Sequence, residues 1–257
     1  MVKIEEILDF PKESKRDKKI FKEKIYLNAD VKNKDKIIFI ENIQEIRWIY
    51  ALKEEYVRIF KKIDKERNYS EIDFINVILK KEIKKLGDLK RIAEIILRYI
   101  YNPIVLSFEY ENKINLLLSH KKNHGTDNKR SVIDSNLFST NWIDLDNQDK
   151  IDKYLISSLK LENLKSRDFY EFYNKIIDNI LLFNASKNVG KLLTPTIEYD
   201  SNNLFKLSEN YLNNKNLIEK YDKILNKENN PKKIINFNEK RTNLLNKQKN
   251  IAKILNC

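Results

Sequence analysis

The side chains able to do chemistry in this 257-residue chain are mainly carboxylates and lysines. A metal-dependent nuclease of the carboxylate-plus-lysine kind sets one acid on a strand and a Glu-x-Lys on the next. Two acids then hold a divalent ion while the lysine steadies the charge that develops on phosphate. Glu71 or Asp73 would be the first acid, with Glu109, Glu111 and Lys113 as the second group; Glu111-Asn112-Lys113 has the literal spacing. Two features oppose this assignment. Glu111 to Lys113 falls at an expected turn, and an expected helix lies between the two groups. A Glu-x-Lys also arises readily by chance where 34% of residues are charged.

His120 and His124, the 2 histidines of the chain, stand four residues apart and with Asp127 would make three ligands. A metal needs three or four convergent donors, and the surrounding NHGTDNKR is turn-like and bordered by lysines that repel a cation. That stretch reads instead as an exposed hairpin-end loop able to meet phosphate. The phosphate-loop, dinucleotide and nucleophile-elbow glycine motifs do not occur. With 3 glycines in all, NTP hydrolysis and dinucleotide chemistry are not expected, and no cofactor is implied. The single cysteine, Cys257, permits neither an internal disulfide nor a cysteine-based zinc site.

Charge points to a polyanion. Lys and Arg number 50 against 38 acids, for a net charge of +12 and an isoelectric point near 9.4, and such a balance draws nucleic acid at long range. The candidate contacts are Lys80, Lys81, Lys84, Lys85, Lys90 and Arg91 around the start of the main helix, and Lys121, Lys122, Lys129 and Arg130 in the histidine stretch. Lys18, Lys19, Lys22 and Lys24 form a third group. The competing reading of each group is a solvated face, and a Lys- and Asn-rich composition is also what AT-rich coding produces.

The elements that would position these residues follow from periodicity. A short helix is expected over 30–45, and strands over 46–52 and 71–79, where β-branched and aromatic residues concentrate. Leu89, Ile92, Ala93, Ile96 and Ile100 form a helical stripe over 88–101, ended by Asn102-Pro103 because the residue before proline avoids the helical region. A hairpin follows, 104–110 and 113–119, joined by Glu111-Asn112, with 138–145 as a further strand. Helices are expected at 149–159 and 168–187. Residues 204–225 and 234–255 carry stripes stepping by 3 and 4, interrupted by Asn214, Arg241 and Gln248. These imply an α+β domain over 1–146, a mostly antiparallel sheet on one long helix. A helical region over 147–192, packed on that domain, and a coiled-coil-like antiparallel helical hairpin over 193–257 follow. The hairpin closes on itself, on the domain, on a protein partner or on a second copy. No apolar run suits a membrane span and the start carries no secretory signal, so a cytoplasmic location is expected.

The succession IFIENIQEIRWIYALKEE, NPIVLSFEY, LLLSHKK, STNWIDLDN, LKLENLKSRDFYEFYNKIIDNI and NASKNVGKL resembles an uncharacterised bacterial family, one of the numbered domains of unknown function. Members of that family are often encoded beside SNF2-type helicases and adenine-specific DNA methyltransferases, in loci that look like restriction or phage-defence islands. The resemblance implies a non-catalytic accessory subunit in a DNA-defence setting, with a helicase or methyltransferase as partner, and it supplies no catalytic residues. Relatives tend to carry an acid in the strand before the main helix, where this chain has Val77-Ile78-Leu79, which counts against an active nuclease.

Overall fold

The largely apolar run of Glu71–Leu79 makes a strand buried on both sides, and the rest of the first unit is built around it. The computed structural model describes residues 4–28, 31–83, 85–124, 127–134 and 136–256, with backbone alone at 6, 27, 28, 124 and 127–131. The chain divides into two units, residues 1–180 and 181–257.

In chain order the first unit contains α1 (Ile4–Leu8), β1 (Lys15–Lys19), α2 (Lys22–Asn28), α3 (Asn33–Asn42), β2 (Ile43–Lys53), α4 (Glu54–Val57), β3 (Lys62–Ile63), β4 (Asn68–Tyr69) and β5 (Glu71–Leu79). The helix α5 (Leu86–Tyr99) precedes β6 (Ile104–Tyr110), β7 (Lys113–Leu118), β8 (Lys121–His124), β9 (Asp127–Ile133), β10 (Phe138–Ser139), β11 (Ile143–Asp144), α6 (Lys150–Ser158) and α7 (Phe169–Val189). The sheet runs β1-β2-β5-β6-β7-β10, with β11 also on β7. Every pairing in it is antiparallel except β5 with β6. Parallel neighbours need a crossover, and α5 supplies it. The fold is therefore α+β, with a mostly antiparallel sheet against a long helix. Two short ribbons, β3-β4 and β8-β9, stand outside the sheet.

Period-two alternation assigns the faces. Ile75, Val77 and Leu79 of β5 and Ile104, Leu106 and Phe108 of β6 pack under α5, whose Leu89, Ile92, Ala93 and Ile96 make up the facing stripe. Ile92 and Ile96 are fully buried, so truncating either to alanine costs about 2–5 kcal/mol. The opposite face, with Phe74, Val105 and Leu116, meets Ile4 and Leu8 of α1, Leu159 and Leu164 in the segment after α6, and Ile176 of α7. Helices thus cover both faces. Asp149 caps α6 by accepting from the amides of Ile151 (2.8 Å) and Asp152 (2.9 Å), and the Asp152 carboxylate returns to the Asp149 amide at 3.0 Å, a reciprocal box that satisfies free donors at the helix start.

In the second unit α7 ends at Gly190, whose φ of 77° is the left-handed conformation that glycine adopts without strain. Helices α8 (Ser201–Leu225) and α9 (Pro231–Leu255) form the hairpin. Leu182, Ala185, Leu193, Leu204 and Leu255 make its apolar base. Farther out, Tyr221 lies 5.8 Å from Phe237, centroid to centroid, and Arg241 binds Asp222. Among the described residues no helix is long and apolar enough to cross a membrane.

Candidate functional site

Alternation along β5 puts Asp73 on the face of Ile75 and Val77, so this acid points into the interior. It is 3% exposed, and its carboxylate accepts from the Trp48 indole and the Asn102 amide, each at 3.0 Å. The same Asn102 amide also donates to Glu71, which meets Lys53 at 3.4 Å. Lys121, at the start of β8, is 4% exposed and donates to the carbonyls of Asn102 (2.7 Å) and Ile100. Burial pushes the Asp73 carboxyl up to about 7, with the Glu71 charge adding to the rise and the Asn102, Trp48 and Lys121 neighbours opposing it. Burial brings the Lys121 ammonium down to about 7 against the attraction of Asp73. An acid and a base sharing one buried region thus both titrate near neutrality, a pattern frequent at functional sites and also found in structural networks.

A second layer continues from His120. Its Nδ1 lies 2.6 Å from the Tyr69 hydroxyl and its Nε2 3.0 Å from Asn174 Oδ1. With the Asn174 amide so oriented, Nε2 carries the proton and Tyr69 donates to Nδ1. Burial lowers the His120 pKa and raises that of Tyr69, which keeps both neutral. The Tyr173 hydroxyl sits 2.8 Å from the Ile104 carbonyl and 2.9 Å from that of Ser119, joining α7 to β6 and to the end of β7. Arg67 stacks 4.3 Å over Tyr170, which in turn lies 5.3 Å from His120. The polar groups of this centre bind one another.

The proposed histidine ligands divide accordingly. Both His120 ring nitrogens are occupied, which corrects the picture of a solvated loop at this residue, and the side chains of His124 and Asp127 lie outside the described ones. Among the described residues no three His, Cys, Asp or Glu side chains are placed to hold a metal.

The nuclease set is not brought together. Asp73 stands opposite Ile104, and Glu109 opposite Ile78, five positions along the same ladder. At 3.3 Å per residue that is about 16 Å, and the odd offset turns the two acids to opposite faces. Glu109 accepts from Asn76 at 2.7 Å, Glu111 occupies the turn with φ of 53°, and Lys113 pairs with Glu82 at 3.3 Å. Ile78 is flanked in register by Glu45 and Glu109, so an isoleucine sits in the middle of the row where a third carboxylate would complete a set.

The basic groups are sorted by what surrounds them. Lys121 is buried and occupied by two carbonyls, so its assignment to phosphate is corrected. Arg91 grips Asp35 at 2.9 and 2.7 Å and also meets Glu94 at 3.2 Å. Lys122 lies 3.8 Å from Asp134. The Lys129 and Arg130 side chains and all of Lys84 lie outside the described residues. Lys80, Lys81 and Lys85 are exposed and Lys90 half-exposed. Antiparallel pairing sets Lys19 opposite Arg47 and Ile43 opposite Leu79, which carries the β1 lysines and the end of β5 to one edge. There Lys22 donates to the Ile43 carbonyl at 2.8 Å and Lys80 to that of Ile40 at 3.1 Å. Burial lowers the Lys22 pKa first; repulsion from Lys80 and, less, from Lys19 adds to the drop, and the Glu23 charge opposes it.

The sequence model of a family described as a domain of unknown function (DUF4391) matches residues 8–249. The chain belongs to that family. Comparison with curated proteins and with solved structures gives no match. The DUF4391 match takes in the buried centre and the lysine edge and ends inside α9.

Sequence reasoning missed Trp48, Asn102, Tyr69 and Tyr173 as members of the centre. One signal was available: Asp73 is in phase with Ile75 and Val77, and an acid on the apolar side of a strand requires partners. Which side chains would provide them was not legible, because Trp48, Asn102 and Lys121 arrive from three other segments.

Proposed function

We propose that this DUF4391 chain is a non-catalytic, cytoplasmic accessory subunit of a bacterial DNA-defence assembly, meeting nucleic-acid phosphates through the lysine edge of residues 1–180. The observation that carries the reading is geometric: Lys22 and Lys80 donate to the Ile43 and Ile40 carbonyls, at 2.8 and 3.1 Å, and so stand together at the end of β1 that carries Lys19. Like charges held together weaken a fold and favour a polyanion that neutralises them. Lys18, Lys81 and Lys85 extend the edge outward and are exposed. Lysines without aromatic stacking partners contact the backbone without reading sequence. The resemblance supports a helicase or methyltransferase partner, which the C-terminal hairpin would hold.

A mobility-shift assay across a salt series tests the nucleic-acid half. Reversal of Lys18, Lys19, Lys81 and Lys85 to glutamate is expected to weaken binding to duplex DNA and flatten the salt dependence by roughly one log-log unit per lost phosphate contact. Unchanged binding by that variant refutes the assignment. A purely structural scaffold predicts no binding even at low salt.

A further inference from the structure

The two helices of the C-terminal hairpin carry very different charge. In α8, Lys206, Lys215, Lys220 and Lys223 are interspersed with Glu209, Glu219 and Asp222. In α9, seven cations face the single acid Glu239. Two of them are used within the hairpin: Arg241 binds Asp222, and Lys233 lies 3.9 Å from Glu228. The other five, Lys232, Lys240, Lys247, Lys249 and Lys253, are exposed and have no ion-pair partner among the described residues. A coding bias toward lysine and asparagine would enrich both helices alike and does not account for the shortage of acids in one.

We propose that the outward face of α9 is a second nucleic-acid-binding surface, which lays the helix along the phosphate backbone of duplex DNA and acts independently of the lysine edge on residues 1–180. The α9 seam is half-buried or buried: Ile234, Phe237, Leu244, Ile251 and Leu255. At 100° per residue, Lys232, Lys249 and Lys253 fall on the half turned away from that seam. Asn236, Asn243, Asn246 and Asn250 fall there too, all of them exposed. A helix of 25 residues is about 37 Å long, close to one turn of the duplex. The ammonium groups suit phosphate oxygens, and the amides, each a donor and an acceptor, suit sugar and groove-edge atoms.

The same residues argue against a protein as occupant of this face. Protein interfaces are anchored by tryptophan, tyrosine and arginine. The outward half of α9 has none of these, since its arginine and its one aromatic turn inward to Asp222 and Tyr221. Its strongly exposed apolar residues, Ile235 and Ile254, lie at opposite ends of the helix and form no patch.

The test uses the full chain, a fluorescently labelled short duplex and a salt series. Lys232→Gln, Lys249→Gln and Lys253→Gln combined should make the slope of log affinity against log salt shallower by about 3 and weaken low-salt binding at least roughly tenfold. Glutamine is a good helix former, so the circular dichroism and melting of the variant should match the parent. Should the combined variant lose helicity, Lys249→Gln alone still predicts a slope change of about 1. The edge variant with Lys18, Lys19, Lys81 and Lys85 reversed separates the two surfaces. If the α9 variant binds like the parent while the edge variant fails, the α9 proposal is overturned and the edge reading stands. If the α9 variant alone is weakened, the α9 proposal holds and the edge reading falls. Polyglutamate of matched charge is the control for acidic proteins. Should it bind as tightly as DNA and lose that binding in the α9 variant, the surface belongs to an acidic polypeptide and the nucleic-acid assignment is overturned.

Discussion

Replacing Asp73 by asparagine keeps the size of the buried side chain and removes its charge. In the parent the folded carboxyl titrates at about 7, against an ordinary 3.8. The folded chain therefore holds this proton over a range where the unfolded chain has released it. Stability on this account is greatest below the unfolded value and falls as pH rises from about 4 to about 7. Three pH units at 1.36 kcal/mol each amount to about 4 kcal/mol. Lys121 acts in the opposite sense on the alkaline side. Its folded value of about 7 lies below 10.5, so the unfolded chain binds more protons there and stability recovers as pH climbs toward 10. Asp73→Asn removes the first slope only. Its stability relative to the parent should rise by about 3 kcal/mol between mildly acidic pH and just above neutrality. Urea unfolding at several pH values, followed by the fluorescence of Trp48 and Trp142, reports this directly, because the Trp48 indole donates to Asp73 itself. A parent-to-variant difference that stays constant with pH would refute the inference that this carboxyl is held neutral by burial.

Lys121→Met should cost about 1–3 kcal/mol above neutrality, where the Asn102 and Ile100 carbonyls lose their buried donor, and less in acid, where the parent alone carries the buried ammonium; urea midpoints at both pH values check it. Tyr173→Phe should cost about 1–3 kcal/mol in the same assay, since the Ile104 and Ser119 carbonyls lose their buried donor. Asp149→Ala removes the α6 cap and should lower stability by about 1 kcal/mol. Asp73→Asn and Glu109→Ala should be additive within about 0.5 kcal/mol, and a strong coupling in the double-mutant cycle would show that the two acids share an ion after all.

Much of the fold was legible because its strongest elements announce themselves locally. The strand over 71–79, the hairpin of 104–110 with the strand that follows its turn, and the helices over 88–101 and 168–187 all have periods and stop signals within single windows. In the sequence, Lys15–Lys19 shows only as a group of basic residues, since KRDKK has no apolar alternation and its place in the sheet comes from pairing with β2. The β8-β9 ribbon looks like a loop in the sequence because its residues are mostly polar.

The sequence by itself determined the apolar stripes, the turns, the excess of cations and the heptad-like seams of α8 and α9, because each is a property of neighbours along the chain. Only the tertiary structure decided that β5 and β6 run parallel, that Asp73 and Glu109 face opposite ways, and that Lys121 is buried beside an acid while Lys19, Lys22 and Lys80 meet at one edge. Periodicity tells which way a side chain points within its own element. What covers that side chain, and so whether its charge stays in water, is settled by segments distant in sequence.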